Sequence, residues 1–357
     1  MVYNGTVSVK SRSSALISAP KLPVTLLTGF LGSGKTTLLN ALLRRPQLAD
    51  TVVIVNELGE IGLDHLLVES SSDNVILLKS GCLCCTIREG LKETLADLYV
   101  RRVNATVPRF ARVVVETTGI ADPGPVANSL QADALVREQF ALDGIVTTVE
   151  ALHGAGQLQR HPEAVRQVAL ADTLIITKAD LAAPAAVAAL EDELERIAPG
   201  AQRVRAVRGN LPPEFVLPSH AAPRAWLSAG LEIPSRRVSA AGSPHDRAIR
   251  SVAIVLPQPV SWAGLAAWCA LAGKHFGVRL LRAKGLLEIV ELGRPVAVHG
   301  IAGYFHPPEA LADWPSDDHR SRLVCIVQDV DEAELQQSFK ALALPPGAER
   351  PASISEL

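Results

Sequence analysis

Short apolar, β-branched runs alternate with longer amphipathic segments from Pro23 to about Val207. The runs are Val24 to Thr28, Thr51 to Asn56, Val75 to Leu78, Val113 to Glu116, Ile145 to Val149, Leu174 to Thr177 and Val204 to Val207. A strand that is apolar throughout is buried on both faces, so the pattern predicts an α/β domain with a mostly parallel sheet and helices on each side. Helices are expected at Lys35 to Arg45, Glu89 to Arg101, Ala164 to Ala171 and Ala186 to Ile197; the stretch after Asp122 is interrupted by prolines.

Between about Arg208 and Arg247 the composition turns to Pro, Ser, Ala and Arg, and six prolines deny any long regular element. Beyond it the pattern predicts a strand from Ile249, a helix after Ser261, and strands near Val278 to Ala283, Leu286 to Glu291, Val296 to His299 and Leu323 to Val327. A last helix starts at Asp331, which together suits a smaller α+β domain with helices on one face of its sheet. The division expected is a disordered tail over 1–20, a first domain over 21–207, a linker over 208–248 and a second domain over 249–357. The stretch from Ser251 to Gly273 is uncharged and long enough to raise the question of a membrane span, but Pro257, Gln258, Pro259 and Ser261 interrupt it. It reads as strand, turn and capped helix, and no membrane partner is expected.

The 357 residues carry 35 basic and 37 acidic side chains, so no field favours a polyanion and nucleic acid is not an expected partner. Of five cysteines, Cys82, Cys84 and Cys85 crowd one short segment while Cys269 and Cys325 stand alone in apolar stretches. That is no disulfide framework, and a reducing, cytoplasmic location is expected. The Ser-rich start has no apolar run of the kind found in a signal peptide.

Gly29-Phe-Leu-Gly32-Ser33-Gly34-Lys35-Thr36 fits GxxxxGK[ST] in its required context, after a buried strand and before a helix. Glycines let successive backbone NH groups curl around phosphate oxygens at a helix N-terminus, with Ser33 and Thr37 flanking them. Lys35 would then reach the β and γ phosphates, and the Thr36 hydroxyl would face Mg²⁺. Glu116 leaves its strand at the carboxyl end, where ligands of open α/β sheets sit, and is the candidate acid acting on Mg²⁺ or its water shell; Gly119 offers a mobile NH near the γ-phosphate. Thr177-Lys178-Ala-Asp180 follows another apolar strand, and Asp180 could accept from the ring NH and amino group of guanine, favouring GTP over ATP. The bland alternatives are a Gly-rich turn, a solvated strand-end acid and a chance KxD.

Gly81-Cys82-Leu-Cys84-Cys85 follows the strand at Val75 to Leu78. Adjacent residues of a strand point to opposite faces, so Cys84 and Cys85 converge only in a bent loop, which Gly81 permits. Three thiolates with an open position suit an exchangeable soft or borderline ion: Zn²⁺ first, Co²⁺ second, with Cu⁺ allowed. Half-buried thiols without a ligand role are the alternative.

The chain resembles the CobW-type family of metal-handling P-loop GTPases, relatives of the urease and hydrogenase nickel-insertion GTPases. The resemblance rests on GFLGSGKTTLLN from Gly29, VNELGEIGLD from Val55, GCLCC from Gly81, ETTGIADPGP from Glu116, TKAD from Thr177, LLRAKGLL from Leu280 and the segment Trp314 to Val324. It implies slow GTP hydrolysis, metal held at the Cys-x-Cys-Cys loop, and switch segments around Asn56 to Asp64 and Glu116 to Pro125 that couple the two. It makes Glu57 and Glu60 candidates for further metal or Mg²⁺ ligation. It also implies a metalloprotein client, with a homodimer as an allowed assembly. Thr177 departs from the Asn frequent at that place in the family, and only His220 and His245 fall in the linker, where many relatives carry a His-rich tract. Two other function classes stay open: an ATP-using P-loop kinase or ligase-like enzyme with a structural zinc, and a metal-sensing regulatory GTP-binding module.

Overall fold

The computed structural model describes residues 21–55, 75–79, 87–217, 249–349 and 351. The expectations for the N-terminal tail, the thiol loop, the first switch and most of the linker lie outside those residues.

The first domain is a seven-stranded sheet in the order β3-β2-β4-β1-β5-β6-β7, every pair parallel. Its strands are β1 (Leu22–Gly29), β2 (Thr51–Val55), β3 (Val75–Lys79), β4 (Arg112–Glu116), β5 (Phe140–Glu150), β6 (Thr173–Thr177) and β7 (Gln202–Ala206). Neighbouring residues bury opposite faces, as the period of two requires. Leu26, Val113, Ile145 and Leu174 face one core, and Leu27, Val114, Val146 and Ile175 face the other. This two-sided burial is the physical source of the uninterrupted apolar runs. One face is covered by α1 (Lys35–Leu43) with Leu211, Val216 and Leu217 from the chain after β7. The other is covered by α2 (Ile87–Val103), α3 (Pro123–Ala132), α6 (Pro162–Ala169) and α7 (Pro184–Ile197).

The prolines after Asp122 begin a helix instead of breaking one. Pro123 takes the first helical position, where no NH is needed, and the Asp122 carboxylate caps α3 by accepting from Gly124 N at 2.9 Å. Two further helices, α4 (Ala134–Gln139) and α5 (Gly154–Arg160), are only six and seven residues long, too short to carry a helical period.

The second domain is an antiparallel sheet of β8 (Ile249–Leu256), β9 (Leu280–Ile289), β10 (Arg294–Ile301), β11 (Tyr304–Phe305), β12 (Glu309–Ala310) and β13 (Ser321–Gln328). The two strands expected over Val278 to Glu291 are the single strand β9. Gly285 does not end it; a side chain there would meet Leu323 Cδ1 at 2.8 Å, so the glycine admits β13. Helix α8 (Trp262–Phe276) is capped by Ser261, whose Oγ accepts from Gly264 N at 2.9 Å. With α9 (Glu332–Ser338) it covers one sheet face around the fully buried Trp268. Among the described residues no helix is long and apolar enough to cross a membrane.

The opposite sheet face packs on the first domain, whose core takes in Leu281, Ile301 and Ile326. At its centre Asp172 pairs with Arg282, lies 3.0 Å from Lys284 Nζ, and accepts from Ile145 N at 2.9 Å. Burial alone would push the Asp172 carboxyl up, yet Arg282 and Lys284 hold it well below the usual carboxylate range. The contact therefore keeps its charge under mild acid and is lost only as pH falls through that depressed value. Burial and the adjacent Arg282 lower His299 well below its ordinary value, so its ring is neutral at pH 7. Above this cluster, the β10–β11 turn at Ala302 and Gly303, with φ 47° and 77°, rests on α3. A Cβ on Gly124 would come within 2.9 Å of Ala302 Cβ, so the seat admits only glycine without a shift.

Candidate functional site

Parallel strands end at one edge, and the carboxyl ends of β1, β4, β5 and β6 gather the described candidates there. β1 runs into Gly29, at φ 142°, where a Cβ would lie 2.3 Å from Thr148 Oγ1 on β5. The loop turns through Gly32 and Gly34, both left-handed, and Ser33 N donates to Phe30 O at 3.1 Å. Ser33 Oγ lies 2.6 Å from Thr148 Oγ1, which pins the loop to the sheet. Gly34 is the N-cap of α1 and supplies no side-chain acceptor, leaving the first-turn NH groups of the helix to other partners. Lys35 Nζ donates to Gly29 O at 2.8 Å and reaches Phe30 O at 3.4 Å, while Thr37 is exposed on α1.

Thr36 Oγ1 donates to Glu116 Oε1 at 2.9 Å, so residues 80 positions apart meet beside the loop. Glu116 is 3% exposed at the end of β4, in register with Leu27 of β1 and Val55 of β2. After it, Thr117 N donates to Leu27 O at 2.9 Å and Thr117 Oγ1 to Thr28 Oγ1 at 2.8 Å. Gly119 lies against the P-loop backbone: a Cβ there would be 2.8 Å from Leu31 N.

Thr177, standing where the family frequently has Asn, makes a direct tether: its hydroxyl donates to Ser33 O at 2.7 Å. The strand that presents Lys178 and Asp180 is thus fastened to the phosphate loop. Lys178 is left-handed at φ 54° and ψ 27° and starts the 3-10 turn Ala179–Leu181, on which Asp180 is exposed. The structure brings Gly29, Gly32, Ser33, Gly34, Lys35, Thr36, Glu116, Gly119, Thr177, Lys178 and Asp180 to one edge. Cys82, Cys84, Cys85, Glu57 and Glu60 lie outside the described residues. β2 and β3, which precede them, end at that same edge at Val55 and Lys79. Among the described residues no group of three or more His, Cys, Asp or Glu side chains could hold a metal ion.

Three residues at this edge escaped the sequence reading. Glu150, 5% exposed at the end of β5, accepts from Lys178 Nζ at 2.8 Å. Gln167 of α6, fully buried, donates through Nε2 to Gly119 O at 3.1 Å and Ala121 O at 3.0 Å, holding the loop after Glu116. Arg166 pairs with Asp122 at 3.0 Å and reaches Val278 O of the second domain. Glu150 shows the same signal as Glu116, an acid closing an apolar strand; the α6 pair shows none.

Comparison with known proteins agrees with this arrangement. Residues 23–205 match the CobW/HypB/UreG nucleotide-binding domain, and 249–343 match the cobalamin synthesis protein cobW C-terminal domain. The zinc chaperone YjiA of Escherichia coli is 29% identical over 330 residues, spanning 90% of this chain and 98% of that protein. The zinc chaperone CobW of Pseudomonas aeruginosa is 30% identical over 362 residues, spanning 90% and 91%. The crystal structure of Zn(II)-bound YjiA superposes with a TM-score of 0.66 at 23% identity, covering 91% of this chain and 99% of that one, a likeness of fold. With the nucleotide-binding domain matched over half its length and the C-terminal domain behind it, the chain belongs to the CobW/HypB/UreG family of P-loop GTPases.

Proposed function

We propose that this protein is a GTP-hydrolysing metallochaperone that takes up Zn²⁺, with Co²⁺ as second choice, at Cys82, Cys84 and Cys85 and passes it to a metalloprotein client. The observation that carries the GTP-hydrolysing half of the reading is the meeting of the Thr36 hydroxyl and the Glu116 carboxylate at 2.9 Å beside the phosphate loop. The metal half rests on the Cys82-x-Cys84-Cys85 sequence and on the zinc-chaperone relatives. Two hard oxygens, one on a buried acid, suit Mg²⁺, which prefers oxygen ligands and is commonly held by one or two protein groups plus nucleotide phosphates. Mg²⁺, when bound, would neutralise charge on the β and γ phosphates. Lys35 would meet the same phosphates, and Asp180 would read guanine.

The thiol segment follows β3, and β3 ends at the edge where Glu116 stands, two strands away. A γ-phosphate that orders the loop after Glu116 could thereby alter the geometry of the thiols, and hydrolysis would release it. Zinc affinity is therefore expected to differ between the nucleotide-free, GDP and non-hydrolysable GTP states. By linkage, Zn²⁺ must change GTP affinity by the same factor, and a coupling of about 1–3 kcal/mol gives roughly 5- to 150-fold. Titration of Zn²⁺ against a competing chelator in the three states measures it. Equal affinities would leave delivery without a driving step. Replacing Cys84 and Cys85 by Ser is expected to remove both metal binding and the coupling.

A further inference from the structure

We infer that Glu150 is a positioning residue for the nucleotide: it holds the Lys178 ammonium in place and so clamps the base-reading turn to the phosphate loop. The inference rests on the reading of Asp180 as the base-recognition residue. Lys178 Nζ stands between two acceptors, Glu150 Oε1 at 2.8 Å and Gly32 O of the P-loop at 3.1 Å. One ammonium thereby ties three segments: the end of β5, the P-loop and the start of the turn carrying Asp180. Lys178 O in turn accepts from Leu181 N at 3.0 Å and closes that turn. The backbone of Lys178 is left-handed, a conformation that is uncommon outside glycine and persists where surrounding contacts fix it.

Glu150 is built into the sheet for this task. It lies in register with Thr177, and Ala151 N donates to Thr177 O at 2.9 Å, so the acid is held beside the residue that precedes Lys178. Its side chain is only 6% exposed, against 41% for Lys178. A carboxylate in such a place needs a partner, and the ammonium is the cation that it meets. The asymmetry fixes the consequences. Without the carboxylate, the half-exposed lysine is free to turn to water and Gly32 loses its bridge to the base turn. Without the lysine, a buried charge is left behind.

The test is a cycle of Glu150→Gln, Lys178→Ala and the double variant, read by dissociation of a fluorescent GDP analogue and by melting of the nucleotide-free protein. Glu150→Gln is expected to speed GDP release about tenfold, the worth of one charge-assisted hydrogen bond. It should not lower the melting temperature, because a neutral amide costs less to bury. Lys178→Ala should lower the melting temperature, and adding Glu150→Gln should restore it while releasing GDP no faster than Lys178→Ala alone. Unchanged GDP release in Glu150→Gln, additive effects in the double variant, or release that rises only with a fall in melting temperature would each overturn the clamp. Asp180→Asn separates the two layers. If it loses guanine preference while Glu150→Gln is silent, the clamp alone fails; if it keeps guanine preference, the base-site reading fails and takes the clamp with it.

Discussion

Lys35→Ala is expected to lower kcat/KM for GTP by on the order of 10³-fold, with no comparable loss of thermal stability. Lys35 is the P-loop cation within reach of Gly29 O and Phe30 O, the carbonyls that border the phosphate cradle. Its ammonium would stabilise charge that grows on the β–γ bridge in the transition state, and losing one preorganised group of that kind costs about 10²- to 10³-fold in turnover. Binding of the β and γ phosphates is lost in addition, which carries the expected total to the upper end. The apolar packing of α1 is carried by Leu38, Leu39, Leu42 and Leu43 and is left untouched by the substitution. Steady-state hydrolysis and a melting curve check both halves. Unchanged turnover would remove the P-loop from the chemistry.

Asp180→Asn is expected to exchange guanine preference for xanthine preference, a swing in the GTP:XTP affinity ratio on the order of 10³-fold or more. The carboxylate only accepts, matching the ring NH and amino group of guanine. An amide also donates, matching the 2-oxygen of xanthine and leaving the guanine amino group against a donor. Asp180 is exposed at the tip of the turn Ala179–Leu181, so the exchange disturbs no packing. Competition among GTP, ATP and XTP measures it. A variant that still prefers GTP would mean that the base is read elsewhere.

What was legible in the chain and what was not follows from the range of the interactions. The P-loop, Glu116 and the TKAD turn are local patterns: each is an apolar strand ending in a residue whose chemistry the strand does not need. The sheet was legible because two-sided burial writes unbroken apolar runs, as at Val113 to Val115. The extent of β9 was misread at Gly285, where a glycine serves β13's approach instead of a turn. α4 and α5 are shorter than a hydrophobic period can mark. Partnerships were the blind spot. Glu150 and Lys178 lie 28 positions apart, and Asp172 and Arg282 lie 110 apart. Nothing in a single sequence ties such charges together. Gln167 gave no sign either, being a buried polar residue whose two acceptors are backbone carbonyls.

The meeting of Asp172 with Arg282 and Lys284 joins the two domains legible in the sequence into a pair expected to melt together. A C-terminal half cut loose at Ile249 would present Arg282 and Lys284 to water on a face that also bares Leu281, Ile301 and Ile326. The N-terminal half would keep Asp172 without either cation. Removing one partner of a buried ion pair typically costs about 3–5 kcal/mol, a large share of the 5–15 kcal/mol that holds an ordinary domain folded. Calorimetry of the whole chain should therefore show a single heat-absorption peak, whose van't Hoff and calorimetric enthalpies agree, and two resolved peaks would count against it. Neither half is then a spare part: a graft of this C-terminal domain onto another nucleotide-binding domain would have to bring an acid to the place of Asp172 and a glycine to the place of Gly124.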